Sequence, residues 1–264
     1  MLSNEFNNTL YELGVSSNTI SNKEKELIIN KGFCLCKNVL NFSKIVNLRK
    51  KFEYILDMEG PAAGVQNHTG ASTLNKYGLE KGTRRISNLV SKGEIFKLIY
   101  LNPKLLAFAK LIIDRDFVLS SLNGRDVFKG FGEQKIHSDW RNKYDGKFHV
   151  FNSIWFLDDI TMENGATKII QNTQRLDPPN FYNSHNNEYD NEVVIEGKAG
   201  SVLFINSHIW HGGTKNVSGD KRRVIHAYFT AKDYPQQTNQ MDNILYKTWK
   251  DLKFSEKIIL GIDE

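Results

Sequence analysis

Cysteine is scarce in this chain, proline is sparse, and no long apolar run interrupts it. Only two cysteines occur in 264 residues, Cys34 and Cys36. They sit in GFCLCKNV, which reads as a strand, so at i and i+2 they share one face. They are too close along the chain to form a relaxed disulfide, which excludes a disulfide-built fold; core thiols in a reducing compartment are expected. No stretch of 18 apolar residues exists, which excludes a membrane-spanning helix. The opening residues, MLSNEFNNTLYELG, have neither the basic region nor the apolar core of a secretory signal, so the expected location is the cytoplasm. Internal repeats and low-complexity linkers are missing too. A single domain over residues 1–264 is therefore expected.

The charge balance is positive, with a formal net charge of +5. Its lysines are dispersed, and the only short basic clusters are Arg49-Lys50-Lys51, Arg84-Arg85 and Lys221-Arg222-Arg223. Such a pattern does not build the continuous basic groove that a nucleic-acid partner needs, but it favours small anionic cosubstrates.

Helix signals dominate residues 1–115. Ser21 with Glu24 forms a capping box that opens a helix ending at Gly32. Residues 33–39 read as a strand. Asn41 then caps a helix whose apolar residues Ile45, Leu48, Phe52, Ile55 and Leu56 recur at helical spacing, ending near Gly60. Residues 60–85 have no period and read as a lid or binding loop. A helix is expected over about residues 94–113. From residue 116 to 232 the character changes to short β-branched and aromatic runs between turn residues, the pattern of an antiparallel sandwich or barrel. Residues 233–264 form a C-terminal extension.

Within QKIHSDW, His137 and Asp139 are two residues apart. In an extended segment both side chains project to one face, and an imidazole nitrogen beside a carboxylate oxygen suits iron(II), manganese or zinc. The motif alone is common by chance, so a third ligand must come from elsewhere. The segment from 199 to 229 offers His208, His211 and His226. His211 follows a buried strand and precedes Gly212-Gly213, where the backbone is expected to turn tightly beside a ligand; His208 is the alternative on a loop. Eleven residues past His211 comes Arg222, opening RRVIHAYF, in which Arg222, Val224, His226 and Tyr228 share one face. An inward guanidinium in a sandwich needs an anion, and the carboxylate of a metal-chelating 2-oxo acid would supply it.

Gln134, His137, Asp139 and Trp140, then WFLDDITMENGATKIIQNTQR, then WHGGTKNVSGDKRR with His211, Asn216 and Arg222, resemble the phytanoyl-CoA dioxygenase family of iron(II)- and 2-oxoglutarate-dependent oxygenases. The resemblance runs from about residue 32 to 228. It implies a mainly β fold, a double-stranded β-helix or jelly-roll core of cupin-like type flanked by N-terminal helices. It implies that His137, Asp139 and His211 hold Fe(II), and that Arg222 holds the distal carboxylate of 2-oxoglutarate. The implied reaction uses O2 to hydroxylate an unactivated C–H, releasing succinate and CO2. Halogenating relatives replace the carboxylate at the position of Asp139, so its presence favours hydroxylation. One departure is Gly213, which stands where the family often has a hydroxyl residue that assists the cosubstrate; Thr214 follows it.

Gln134, Asn123 and Thr214 are candidates for further cosubstrate contacts. Arg125, Trp155, Asn152, Arg84, Arg85 and His68 are candidates for the substrate wall of a small polar metabolite. Two other function classes fit parts of the pattern. A cupin-like hydrolase, isomerase or binding protein would keep the metal ligands without an inward arginine. A nucleic-acid demethylase would need the basic groove that the dispersed lysines do not make.

Overall fold

The computed structural model describes residues 1–64, 80–180 and 189–262. Most of loop 60–85, with His68, and also His185 lie outside the described residues. Two antiparallel sheets face one another. The larger has six strands: β1 (Phe33–Cys36), β2 (Thr83–Ile86), β3 (Phe117–Val127), β5 (Val150–Phe156), β8 (Val202–Asn206) and β10 (Val224–Ala231), in the order β1-β8-β5-β10-β3-β2. The smaller has β4 (Gln134–His137), β6 (Thr167–Ile170), β7 (Glu192–Ile195) and β9 (Trp210–Gly213), in the order β4-β9-β6-β7. Two strands from the helix-rich first part of the chain, β1 and β2, thus close the two edges of the large sheet.

The large sheet is apolar on both faces because it is covered on both. In β5, Phe151 and Trp155 point to one core and Ile154 and Phe156 to another; in β8, Val202 and Phe204 oppose Leu203 and Ile205 in the same way. One face packs on the small sheet through Ile154, Ile169, Leu203, Ile205 and Val224. The other face packs on the helices, with Phe108 stacked on Phe204 at 4.4 Å between ring centroids. Burial on both sides explains why these strands read as continuous hydrophobic runs and not as polar–apolar alternation.

Four N-terminal helices make the outer layer: α1 (Asn4–Glu12), α2 (Asn22–Lys31), α3 (Phe42–Glu59) and α4 (Pro103–Ile113). The capping box at Ser21 forms as expected, with Glu24 N–H donating to the Ser21 hydroxyl and Ser21 N–H donating to the Glu24 carboxylate. Asn41 caps α3, which buries Ile45, Leu48, Phe52 and Ile55. Expectation and structure part at three places. The end of the expected loop 60–85 is not irregular, since residues 83–85 belong to β2, which pairs with β3. Residues 94–113 do not form one helix: short turns at Glu94–Phe96 and Lys97–Tyr100 precede α4. Pro103 cannot donate a backbone hydrogen bond, and Asn102 caps a fresh helix there. The first strand stops at Cys36, since Asn38 adopts a left-handed φ of 55°. Cys34 and Cys36 are free, buried on one face of β1, with their sulfurs 3.8 Å apart. Among the described residues no helix is long and apolar enough to cross a membrane.

Phe52 joins α3 to the large sheet. Its ring lies where a Cβ on Gly124 of β3 would come within 2.5 Å, so the glycine is the socket and the ring the plug. Phe52→Ala is expected to lower stability by about 3–5 kcal/mol through the cavity it leaves, read by denaturant unfolding; a loss below 1 kcal/mol (about the size of a surface change) would show that α3 does not clamp the sheet.

Candidate metal and cosubstrate site

The site begins with strand pairing. In the small sheet β4 runs antiparallel to β9, with Gln134 opposite Gly213 and His137 opposite His211. Opposed residues project to the same face, and the two imidazoles stand 4.4 Å apart between ring centroids. Asp139 follows β4 and is tethered by its N–H to Ser207 O at 3.0 Å. Its Oδ1 lies 3.9 Å from His137 Nε2 and 3.7 Å from His211 Nε2. All three ligand atoms lie within 4.8 Å of one another.

The protonation pattern suits a cation. His137 Nδ1 sits 2.8 Å from Lys135 O, and His211 Nδ1 sits 3.0 Å from Ile209 O. A carbonyl only accepts, so each Nδ1 carries the proton and each Nε2 offers its lone pair. Burial, then the neighbouring His211, lowers the His137 pKa, which keeps that lone pair free. Asp139 Oδ2 is buried without a hydrogen-bond partner. Two imidazole nitrogens and an unsatisfied carboxylate, converging on one point, fit a divalent ion such as iron(II). Gly212 is required here for closeness: a Cβ would lie 2.6 Å from Gln134 O. Gly212-Gly213 therefore does not form the expected turn; it is extended strand, pressed against β4.

Between the sheets lies a cavity of about 220 Å³ that contains this cluster. On another wall of it stands Arg222, only 4% exposed. Its Nε donates to Gly165 O at 2.8 Å, and its backbone N–H donates to Asp126 at 3.1 Å. Nη1 is buried with no partner, and Arg222 forms no ion pair among the described residues. Burial, then repulsion from Arg125, pulls the Arg222 pKa down to about 9 against the attraction of Asp126 and Glu80. A buried guanidinium held above neutral pH, with a free donor, is a receptor for an anion. His226 beside it is driven well below its ordinary pKa by burial and by Arg222, Arg125 and Arg85, so it is neutral.

Most of the residues singled out in the sequence meet at this cavity: His137, Asp139, His211, Arg222, Gln134, Asn123, Arg125, Asn152 and Arg85 all line it. Three do not. Trp155 is buried on the helix side of the large sheet, its indole N–H donating to Ser153 Oγ at 2.9 Å and its edge on Phe204. The strand period that turns Asn152 inward turns Trp155 outward. Arg84, neighbour of Arg85 on β2, points away and pairs with Glu53 at 2.7 Å and Asp126 at 2.5 Å. Thr214 donates to Met162 O at 2.8 Å outside the cavity. His208, the alternative third ligand, faces elsewhere: its Nε2 accepts from the His149 N–H at 2.9 Å, and burial holds its pKa down to about 3. His149 itself is buried and bonded to Asp145.

One cavity residue that the sequence reading missed is Thr167. It opens β6 directly opposite Gly213, so Thr167 and Gln134 flank the position where the expected hydroxyl is absent. Its signal was the Asn164-Gly165-Ala166 turn immediately before it, which fixes the phase of β6.

Known proteins resemble the chain in sequence and in fold. The family described as Phytanoyl-CoA dioxygenase (PhyH) matches residues 29–224. An uncharacterized protein of Mycobacterium tuberculosis is 23% identical over 271 residues, covering 95% of this chain and 93% of that protein. The Fe(II)/2-oxoglutarate-dependent dioxygenase nvfF of Aspergillus novofumigatus is 29% identical over 154 residues, 55% of this chain and 50% of that one. In fold the chain is similar to HygX from Streptomyces hygroscopicus, solved with nickel and 2-oxoglutarate bound, at a TM-score of 0.65 and 15% identity, covering 84% of this chain and 93% of HygX. With a family match over most of its length, the chain belongs to the phytanoyl-CoA dioxygenase (PhyH) family and is a 2-oxoglutarate-dependent dioxygenase.

Proposed function

We propose that the chain is one catalytic domain that hydroxylates an unactivated C–H of a small polar metabolite, with release of succinate and CO2. His137, Asp139 and His211 hold Fe(II), and Arg222 takes the C5 carboxylate of 2-oxoglutarate. The observation that carries this reading is the buried, unpartnered Nη1 of Arg222 in the same cavity as the unsatisfied Asp139 carboxylate. The cation needs an anion and the carboxylate needs a cation; a metal chelated by a keto diacid supplies both. HygX is also known with hygromycin B bound, which supports a small-molecule substrate.

When bound, the iron with 2-oxoglutarate and O2 supplies the oxidising chemistry. What the chain contributes is position and charge. The two Nδ1–H bonds to backbone carbonyls hold the imidazoles in the ligating tautomer. Arg222 is fixed through Nε, so its free edge already points into the cavity and loses little freedom on gripping a carboxylate. Thr167 and Gln134 stand on either side of Gly213 and offer the polar contacts that a hydroxyl at 213 would have made. Neutral His226 and Asn152, whose Nε2 and Oδ1 are buried without partners, line the same space as hydrogen-bonding groups without charge.

Two measurements test this. His137→Ala and Asp139→Ala should each abolish stoichiometric iron uptake while circular dichroism stays native; full iron content in either variant would move the metal elsewhere. Arg222→Ala should weaken 2-oxoglutarate binding by about 2–4 kcal/mol in anaerobic calorimetry, because a fork to a desolvated carboxylate is lost. An unchanged affinity would remove Arg222 from the cosubstrate. Arg223 could not stand in, since it is tied outside the cavity to Asp158 at 2.8 Å and Glu53 at 2.9 Å.

A further inference from the structure

The cavity carries more positive charge than the cosubstrate uses. Besides Arg222, two guanidiniums line it, Arg125 on β3 and Arg85 on β2. They are direct cross-strand partners, so two like charges stand side by side on one face of the sheet. Arg125 is only 5% exposed. Such a pair is destabilising unless an anion lies with it.

That anion is Glu80. Its Oε1 accepts from Arg125 Nη2, and its Oε2 accepts from Arg125 Nε at 3.3 Å and from Arg85 Nε at 2.8 Å and Nη2. Burial works to raise the Glu80 pKa, but Arg125 and Arg85 outweigh it and hold the carboxyl down to about 2, fully ionised. One carboxylate therefore serves two guanidiniums. Asp126, next to Arg125 in sequence, does not contribute: it is bonded to Arg84 and to the backbone of Arg222. Among the described residues neither Arg85 nor Arg125 uses its Nη1 in a hydrogen bond.

The charge balance of the loaded cavity follows. The positive charge of Fe(II) offsets the negative charge of 2-oxoglutarate. Asp139 and Glu80 offset two of the three arginines. One guanidinium is left unmatched in a confined space, where an uncompensated charge is costly.

We infer that the substrate is itself an acid whose carboxylate docks on the Arg85–Arg125 pair, through the Nη1 edges that Glu80 leaves unused. The inference rests on the reading that Arg222 is committed to the cosubstrate. Glu80 demonstrates that the pair accepts a planar carboxylate in fork geometry. A carboxylate bound there leaves the rest of the molecule in the cavity that holds His137, Asp139 and His211, so the acid group sets which carbon is presented to the metal. Amines and neutral analogues are rejected, because they leave the excess charge in place.

The test uses the full chain with ferrous iron and saturating 2-oxoglutarate under argon. Butyrate and hexanoate are titrated calorimetrically against butanol and hexanol, neutral probes of equal chain length. The acids are expected to bind at least about tenfold more tightly, the low end for a desolvated charged pair. Arg125→Gln should erase that difference while 2-oxoglutarate affinity is retained. Arg85→Gln, at the more exposed arginine, should reduce the difference, and it carries the test if Arg125→Gln does not fold by circular dichroism. Acids that bind no better than alcohols overturn the proposal. So does a loss of 2-oxoglutarate affinity in Arg125→Gln as large as that in Arg222→Ala, which would make Arg125 part of the cosubstrate grip. Failure of the unaltered protein to bind 2-oxoglutarate, seen before any acid is added, overturns the reading of Arg222 instead.

Discussion

The pairing of His137 with His211 across β4 and β9 is the contact on which the rest of the site depends. It brings together two side chains 74 positions apart in sequence and aims them at one point. A one-residue slip in that register would turn one imidazole to the opposite face of the sheet. Gly212 keeps the register tight, because no residue with a Cβ could sit that close to Gln134 O. The backbone carbonyls of Lys135 and Ile209 then set the tautomers, and Ser207 O ties down Asp139. The convergence of these three side chains is thus built mostly from main-chain hydrogen bonds.

Around that centre the arginines are sorted by face. On the helix side, Arg49, Arg84 and Arg223 are matched by Glu53, Asp126 and Asp158 in one connected network. On the cavity side, among the described residues, Arg85 and Arg125 share Glu80 and Arg222 has no ion pair. Adjacent residues take opposite fates, Arg84 outside and Arg85 inside, Arg223 outside and Arg222 inside. The sheet separates cations that stabilise the fold from cations that face the cavity.

The candidate metal ligands could be picked out in the sequence because His-x-Asp fixes its own face and a glycine pair marks the partner strand. Helices were legible where capping residues and apolar spacing coincide, as at Ser21 and Asn41. What could not be read was strand phase and edge membership. Asn152 and Trp155 lie in one strand, and nothing in their identities says which faces the cavity; the large sheet is apolar on both sides, so alternation gives no clue. Nor does the sequence say that residues 33–36 and 83–86 close the edges of that sheet, since such pairings depend on distant chain segments. Thr167 was missed because its role appears only once Gly213 is placed opposite it.

The bond from Arg222 Nε to Gly165 O has one more implication. Gly165 belongs to the turn that enters β6 of the small sheet, while Arg222 leads into β10 of the large one. The guanidinium is therefore stapled across the two layers, and its separation from the His–Asp–His cluster is set by the thickness of the sandwich and not by a flexible side chain. If Arg222 takes the far carboxylate of the cosubstrate as proposed, the cavity works as a ruler, and the length of the diacid becomes a criterion of fit alongside its charge.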